Sequence, residues 1–319
     1  MTDPTRTVTP TDVATADGIS TVDLEAATDY EVSLKPLSQW QLAWRRFRKH
    51  RLAIVGTVLV GAMVFLAIFG PILWPFNRLD LNPVQSPAGN PPSSEAIFGT
   101  DNVGRSIFEM VATGARLSMI IGLGTMAIAT TIGVLVGATA GFFGGRVDGA
   151  LMRFVDLLLA LPFLFIILVA SVFFGQGDPI LLLLIFGLLS WAGLARLVRA
   201  LFLSLREQEY VMAAKAVGVS NQRITFRHML PNALGPIIVS ATLIVANAIV
   251  LEAFVSFLNL GVRATDVTWG TALSSSQEYL IRGNWWWSFF PGMAIAITVI
   301  GINFMGDGLR DAFDPRARA

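Results

Sequence analysis

The chain has 319 residues, of which 54% are hydrophobic and 14% are charged, and its formal net charge at pH 7 is +1. Soluble globular domains carry roughly 25% charged residues, so this composition indicates a chain that is not solvated by water alone. The small net charge and the lack of a basic stripe interleaved with aromatic residues argue against nucleic-acid binding. There is no Cys, which excludes disulfides and cysteine nucleophiles, and His50 and His228 form no HExxH-type metal site.

Six apolar stretches are each long enough to cross the hydrocarbon core of a membrane, which takes about 20 helical residues. An open strand would leave backbone amides unpaired in lipid, so these stretches are predicted to be helices, and the fold class is all-α. The first stretch begins too far from Met1, and is too long, to be a cleaved signal peptide. The predicted spans are residues 52–75, 117–143, 151–174, 179–203, 233–258 and 288–308.

The distribution of Lys and Arg predicts the orientation of these spans. With the N-terminus in the cytoplasm, only five of the 23 Lys and Arg residues fall on outer segments: Arg78, Arg105, Arg116, Arg263 and Arg282. Two more lie in a distant N-terminal tail, and the other sixteen lie on inner segments. We therefore expect both termini to be cytoplasmic.

The chain divides into three predicted regions. Residues 1–37 are acidic and show no apolar periodicity, which predicts a disordered cytoplasmic tail. Residues 38–51 (SQWQLAWRRFRKHR) place Trp and Leu broadly on one helical face beside several cations. That pattern fits an interfacial helix or a plain positively charged flank of the first span. Residues 52–319 form the predicted transmembrane domain.

Two features near the spans concern packing. Gly133, Gly137 and Gly141 recur every four residues in the second span and let another helix approach closely. We interpret this stripe as helix packing within the chain rather than as a moving gate. Three consecutive Trp at 285–287, just outside the sixth predicted span, are typical of an aromatic belt at the membrane surface.

Three ionisable side chains lie inside the apolar stretches and clear of the inner end of the fourth span: Arg153, Asp156 and Glu252. Charges at membrane depth are costly and often functional. Arg153 and Asp156 are three residues apart, so a local ion pair is our preferred interpretation. Glu252 lies roughly 28 Å along the fifth span, near its outer end. There it either lines the mouth of a pathway or extends to water at the interface.

The inner segment between the fourth and fifth spans, residues 205–232 (LREQEYVMAAKAVGVSNQRITFRHMLPN), carries a folded signature of its own. Residues 207–217 are predicted to be helical, and Gly218 suits the left-handed position that ends such a helix. Ser220 is predicted to cap a second short helix, which Pro231 closes. We call this helix-turn-helix segment the elbow. Its small and cationic side chains include Ala213, Ala214, Arg223 and Arg227.

The elbow resembles the EAA loop of binding-protein-dependent ABC importers, whose pattern is Glu-Ala-Ala, three residues, Gly, and a later apolar-x-Leu-Pro ending. Met212 departs from the pattern, since the family usually has Glu there, and His228 stands where Ile is frequent. The resemblance implies that the second short helix docks on an ATPase subunit and transmits its closure. The matching residues are Ala213, Ala214, Gly218, Leu230 and Pro231.

Four further blocks narrow the resemblance to the second permease subunit of the dipeptide/oligopeptide/nickel branch. They are FGTDNVGRS at 98–106, VDLLLALP at 155–162, EAFVSFLNLG at 252–261 and GDGLRDAFDPR at 306–316. Together with the elbow they cover about residues 40–316. The resemblance implies a multi-pass subunit in the plasma (inner) membrane of a prokaryote. Its implied partners are a homologous permease, two ATP-binding cassette ATPase subunits and an extracytoplasmic substrate-binding protein.

The chain is not expected to be an enzyme or to bind a cofactor. Its three Lys residues, Lys35, Lys49 and Lys215, do not follow a Gly, so there is no Walker A P-loop, and ATP and Mg²⁺ are expected on the partner ATPases. An intramembrane hydrolase is an alternative, although both His lie outside the apolar stretches. An ion-coupled secondary transporter is another, although broken-helix pairs and buried carboxylate clusters are missing from the pattern. Peptides are the default cargo of the branch, and nickel, glutathione-like, opine or sugar cargo stays open.

Overall fold

The computed structural model describes residues 39–76, 88–174, 177–263 and 265–313. The chain divides into two compact units, residues 1–42 and residues 43–319, and most of the described residues belong to the second. The acidic tail predicted at 1–37 lies outside the described residues. So do the outer cation Arg78 and the C-terminal cations Arg316 and Arg318.

The described residues fold almost entirely into helices, as the all-α prediction requires. The β-pairing among them consists of two isolated bridges, Thr100 with Ser106 and Gly177 with Val262. The helices are α1 (Gln39–Lys49), α2 (Arg51–Leu73), α3 (Ile107–Phe143), α4 (Gly145–Ala160), α5 (Phe163–Phe174), α6 (Pro179–Arg206), α7 (Glu209–Ala216), α8 (Asn221–Phe257), α9 (Trp269–Ser275), α10 (Gln277–Leu280) and α11 (Trp285–Phe313).

Five of these helices, α2, α3, α6, α8 and α11, are long and apolar enough to cross a membrane. The remaining predicted crossing falls on α4 and α5, which together are long and apolar enough for one span but are bent by 76° between Gly145–Ala160 and Phe163–Ala170. The predicted span 151–174 is therefore a bent pair and not one straight helix. The bend follows from Pro162, because the residue before a proline is pushed out of the helical region, and Leu161 has a ψ of 132°.

The second span is longer than the predicted 117–143, because α3 begins ten residues earlier, at Ile107. Ser106 is its N-cap, and the Ser106 hydroxyl accepts a hydrogen bond from the N–H of Glu109 at 3.4 Å. This added length carries α3 past the outer end of α2, where the hydroxyl of Thr113 donates to the carbonyl of Trp74 at 3.0 Å.

The glycine stripe of α3 packs against α6. A Cβ placed on Gly137 lies 2.5 Å from the backbone oxygen of Ala195, and one placed on Gly141 lies 2.5 Å from the Cβ of Phe202. Gly133 faces the same helix. These separations leave no room for a side chain, so the stripe sets how closely the second and fourth spans approach within one chain.

The tryptophan cluster differs from the predicted aromatic belt. The sixth span begins at Trp285, earlier than the predicted residue 288, and only Trp285 of the three is largely exposed, at 51%. Trp286 and Trp287 are 6% and 2% exposed, and the Trp286 indole N–H donates to the carbonyl of Thr100 at 3.2 Å. Successive residues of a helix point about 100° apart, so three adjacent Trp side chains cannot all face lipid.

The topology predicts opposite accessibility for Ser220, which is exposed on the elbow, and Ile281, which is 92% exposed between α10 and α11. Single cysteines at these positions in this Cys-free chain are expected to react with a membrane-impermeant maleimide from the inner and outer sides, respectively. The measurement is labelling of sealed right-side-out and inverted vesicles. Labelling of both positions from one side would contradict the six-span arrangement.

The close contact between α3 and α6 predicts that Gly137→Ala destabilises the protein by about 1–3 kcal/mol, because the added methyl overlaps the backbone of α6. The measurement is the thermal unfolding midpoint of the purified protein in detergent. Gly193→Ala is the matched control, since Gly193 lies on α6 and a Cβ there meets no described atom within 4 Å. Equal midpoints for the two variants would show that the contact is looser than described.

Candidate functional site

The first half of the elbow is a short helix that ends at a glycine. Gly218 follows α7 with a φ of +83°. Its N–H donates to the carbonyl of Lys215 at 3.0 Å, and the N–H of Val219 donates to the carbonyl of Ala214 at 3.0 Å. These two bonds make a Schellman motif, in which a left-handed residue satisfies the last carbonyls of a helix. No described atom lies within 4 Å of a Cβ placed on Gly218, so the need for glycine arises from the backbone alone.

The second half of the elbow is not a separate helix. Asn221 begins α8, which passes through a π-helical turn at Ile224–Met229 and continues as the fifth span. The prediction that Pro231 closes a short helix is therefore wrong. Proline has no N–H for the carbonyl four residues back, and the wider turn places the N–H of Leu230 on the carbonyl of Thr225. The elbow and the fifth span are joined by one continuous helix.

Ser220 occupies the N-cap position of α8 with an extended backbone, but its hydroxyl makes no capping hydrogen bond. It points instead to solvent. Of the residues that the sequence singled out in the elbow, two are half-buried, Ala214 and Leu230. The exposed ones are Ala213, Gly218, Ser220, Arg223, Arg227 and Pro231.

Three buried side chains that the sequence did not single out hold the elbow in place. Val211, Ile224 and Met229 are each 0% exposed. They pack with Val198 and Phe202 near the inner end of α6. The signal available in the sequence was their apolar character within an otherwise polar segment. Their partners on α6 could be named only once the helices were packed.

The elbow also carries exposed apolar side chains. Met212, Val217 and Phe226 are 52%, 84% and 58% exposed, and Arg223 and Arg227 are exposed as well. The segment lies outside the predicted hydrocarbon core, so these large apolar side chains meet water in the isolated chain. Apolar side chains left exposed beside charged ones are typical of surfaces that bind a protein partner.

The charges at the inner ends of the spans pair between helices. Asp156 accepts a hydrogen bond from Arg196 at 2.5 Å, so the local pair that we preferred, Arg153 with Asp156, is not the one formed. Asp148 likewise binds Arg199 through two hydrogen bonds, one of them 2.6 Å long. Both carboxylates belong to α4 and both guanidinium groups to α6. A cation on a packed neighbouring helix displaced the weak pairing expected along a single helix.

Glu252 is fully buried, so the interpretation that it extends to water is wrong. Its carboxyl group accepts hydrogen bonds from the hydroxyls of Thr268 at 2.7 Å, Ser256 at 2.8 Å and Ser118 at 3.5 Å. These donors come from α3, α8 and the start of α9. Of the three, only Ser256, one turn away on α8, could have been found from sequence spacing.

The elbow and Glu252 are separate places on one helix. The 31 residues from Asn221 to Glu252 correspond to roughly 46 Å along α8. Neither place resembles a catalytic centre. Across the described ranges, no group of three or more His, Asp or Glu side chains is arranged to hold a metal ion.

Comparison with known protein families gives matches to two parts of the chain. Residues 133–319 match the family described as binding-protein-dependent transport system inner membrane component. Residues 38–92 match the N-terminal transmembrane domain of oligopeptide transport permease C.

Several named proteins are similar over most of their length. The oligopeptide transport system permease protein OppC of Bacillus subtilis is 40% identical over 289 residues, covering 90% of this chain and 93% of the relative. The dipeptide transport system permease protein DppC of the same organism is 38% identical over 282 residues, covering 88% and 87%. OppC of Haemophilus influenzae is 35% identical over 288 residues, covering 90% and 92%.

The matched family covers more than half of the chain, and the match takes in the elbow, the α3–α6 contact and Glu252. The helices that can span a membrane agree with a multi-pass protein of the inner membrane. The chain therefore belongs to the family of inner-membrane components of binding-protein-dependent transport systems, as a permease subunit and not an enzyme.

Proposed function

We propose that this chain imports peptides as one of two permease subunits, with two ATPase subunits and an extracytoplasmic binding protein, and that the elbow is where an ATPase docks. The names of the similar proteins, oligopeptide and dipeptide permeases, support peptide cargo. The observation that carries the docking role is the elbow itself, which is anchored by buried side chains and exposes apolar and cationic side chains.

A partner at the elbow is favoured by the hydrophobic effect. Removing apolar surface from water contributes about 25 cal/mol per Å². Met212, Val217 and Phe226 supply such surface, and Val217 at 84% exposure has almost no cover in this chain. Arg223 and Arg227 add positive charge beside it. The complementary partner has an apolar groove with acidic groups at its edge.

The ATPase role must belong to a partner. The chain has no Lys after a Gly and hence no P-loop, so we expect ATP and Mg²⁺ to be held by the ATPase subunits. ATP hydrolysis then acts on this chain through movement of the ATPase subunits. The Schellman motif at Gly218 and the buried Val211 and Ile224 hold the elbow in one conformation, so a force that the ATPase applies there is passed on to the rest of the chain.

The backbone of the elbow supplies the first test. Gly218→Val is expected to weaken ATPase docking, because a β-branched residue resists the left-handed conformation by roughly 1 kcal/mol or more and the turn aims the start of α8. The measurement is co-purification of the ATPase subunits and binding-protein-stimulated ATP hydrolysis. Gly283→Val is the matched control, since Gly283 has a φ of +93° and equally open surroundings but lies between α10 and α11. Similar losses in both variants would contradict a specific role for the elbow.

The charge of the elbow supplies the second test. Arg223→Glu is expected to reduce ATPase docking roughly tenfold, because it reverses the charge that meets the acidic edge of the partner. Arg146→Glu is the control, since Arg146 is an exposed cation on α4 outside the elbow. Docking is measured as the concentration of purified ATPase that half-saturates the permease pair in nanodiscs. Equal affinities for the two variants would show that the elbow is not part of the ATPase interface.

The transported class is tested with the reconstituted complex. Proteoliposomes holding both permeases and the ATPases, with the binding protein outside, are expected to accumulate a labelled oligopeptide only when ATP is inside. Uptake driven by a proton or sodium gradient without ATP would favour a secondary transporter instead. Mass spectrometry of the ligand that co-purifies with the binding protein identifies the cargo, and a sugar or metal ion in place of a peptide would overturn the peptide assignment alone.

A further inference from the structure

The short helix α9 on the outer side is held to the spans by its first residue. Trp269 is fully buried. Its backbone N–H donates to the hydroxyl of Ser118 at 3.1 Å, and its indole N–H donates to the carbonyl of Val111 at 3.0 Å. Both acceptors belong to α3. This attachment fixes α9 beside the outer part of the second span.

A second attachment joins α9 to α8 through Glu252. Thr268 is the N-cap of α9, since its hydroxyl accepts from the N–H of Thr271 at 3.0 Å, and the same hydroxyl donates to Glu252 at 2.7 Å. Gly270, in the first turn of α9, lies directly on α8: a Cβ there sits 2.7 Å from the Cα of Ala253. The start of α9 therefore rests on Glu252 and its neighbour.

Burial makes this attachment strong. A buried carboxyl group without hydrogen-bond donors is costly, and each donor removed leaves part of that cost uncompensated. Glu252 has donors on three elements: Ser118 on α3, Ser256 on α8 itself, and Thr268 at the start of α9. A displacement of α8 relative to α9 breaks some of these bonds, so the two elements are expected to move together.

The other end of α8 is the elbow. α8 has 37 residues, which corresponds to roughly 55 Å, and it is helical from Asn221 through the π-turn to Phe257. Because α8 stays helical through its two prolines, a displacement of one end is expected to reach the other. One element thus connects the proposed ATPase-docking surface to a helix on the outer side.

We propose that Glu252 is the positioning residue through which α8 delivers movement of the elbow to α9, so that the outer face changes with the state of the ATPases. This inference rests on the proposed function, because it needs the ATPase to act on the elbow. Glu252 contacts no cargo in this role. Its part is to keep the first turn of α9 attached to the outer end of α8.

The test uses the whole complex, with both permeases, the ATPases and the binding protein, in nanodiscs and with partner chains free of reactive cysteine. Two pairs of nitroxide labels are placed in this Cys-free chain, and their distances are measured by pulsed electron paramagnetic resonance with and without trapped ATP. The outer pair is Ser275→Cys on α9 and Leu73→Cys at the exposed end of α2. The inner pair is Ser220→Cys on the elbow and Leu52→Cys on α2.

In the complex that carries only the label pairs, trapped ATP is expected to change both distances. Thr268→Val removes the hydroxyl with little change of shape, so the inner change is expected to persist while the outer change falls to less than about half. Peptide uptake is expected to fall roughly tenfold, the factor that corresponds to one lost hydrogen bond to a buried group. Thr268→Ser keeps the hydroxyl and is expected to retain the outer change. Glu252→Leu, which removes both acceptor oxygens from a side chain of comparable size, is expected to resemble Thr268→Val.

The control acid is Asp178, which is exposed at the outer end of α6 and accepts from the N–H of Ile180 in its own helix at 2.8 Å. Asp178→Asn is expected to leave both distance changes intact. An outer change that survives Thr268→Val and Glu252→Leu at full size would overturn the positioning role. An inner change without any outer change in the complex that carries only the label pairs would refute the link but not the docking role. If the inner distance ignores ATP altogether, the docking role of the elbow fails and the link fails with it.

Discussion

In the hydrocarbon core every backbone amide has to find its partner inside the protein, and this constraint keeps α8 helical through Pro236. Near Pro231 the helix widens into a π-turn and stays unbroken. As a result the elbow is the beginning of the fifth span. Whatever binds the elbow acts directly on a helix that reaches the outer side. The proposed docking role and the proposed link through Glu252 both depend on this continuity.

The membrane helices pack against each other through two different kinds of contact. Between α3 and α6 the helices approach over glycines, which meet backbone atoms and apolar side chains of α6. Between α3, α8 and α9 the contact is made by a buried carboxyl group that accepts hydrogen bonds from three hydroxyls. The first kind of contact tolerates no added methyl. The second depends on hydrogen bonds, so nearly isosteric substitutions such as Thr268→Val distinguish it from simple packing.

The inner side combines rigid anchoring with exposed surface. Asp148 and Asp156 tie α4 to two arginines of α6, and Val211, Ile224 and Met229 tie the elbow to the same helix. The ion pair of Asp156 with Arg196 is about half exposed, so it adds little to the stability of the α4–α6 contact. The elbow is held by its buried apolar contacts instead. α6 is therefore the common support of the inner side. The exposed Val217 and Phe226 are left for a partner that lies outside this chain.

The amino-acid sequence by itself determined the helical class, the approximate positions of the spans, the left-handed turn at Gly218 and, through the elbow motif, the resemblance to the family of importer permeases. Each of these follows from local periodicity, chain geometry or a contiguous pattern. Tertiary structure decided the bend at Pro162, the continuity of α8 through Pro231, the inward Trp286 and Trp287, and the partners of Asp156 and Glu252. A side chain pairs with whatever a neighbouring helix brings within reach, and Ser118 and Thr268 lie 134 and 16 residues from Glu252 along the chain. Only the packed helices place those hydroxyls around one carboxyl group, which local sequence patterns do not encode.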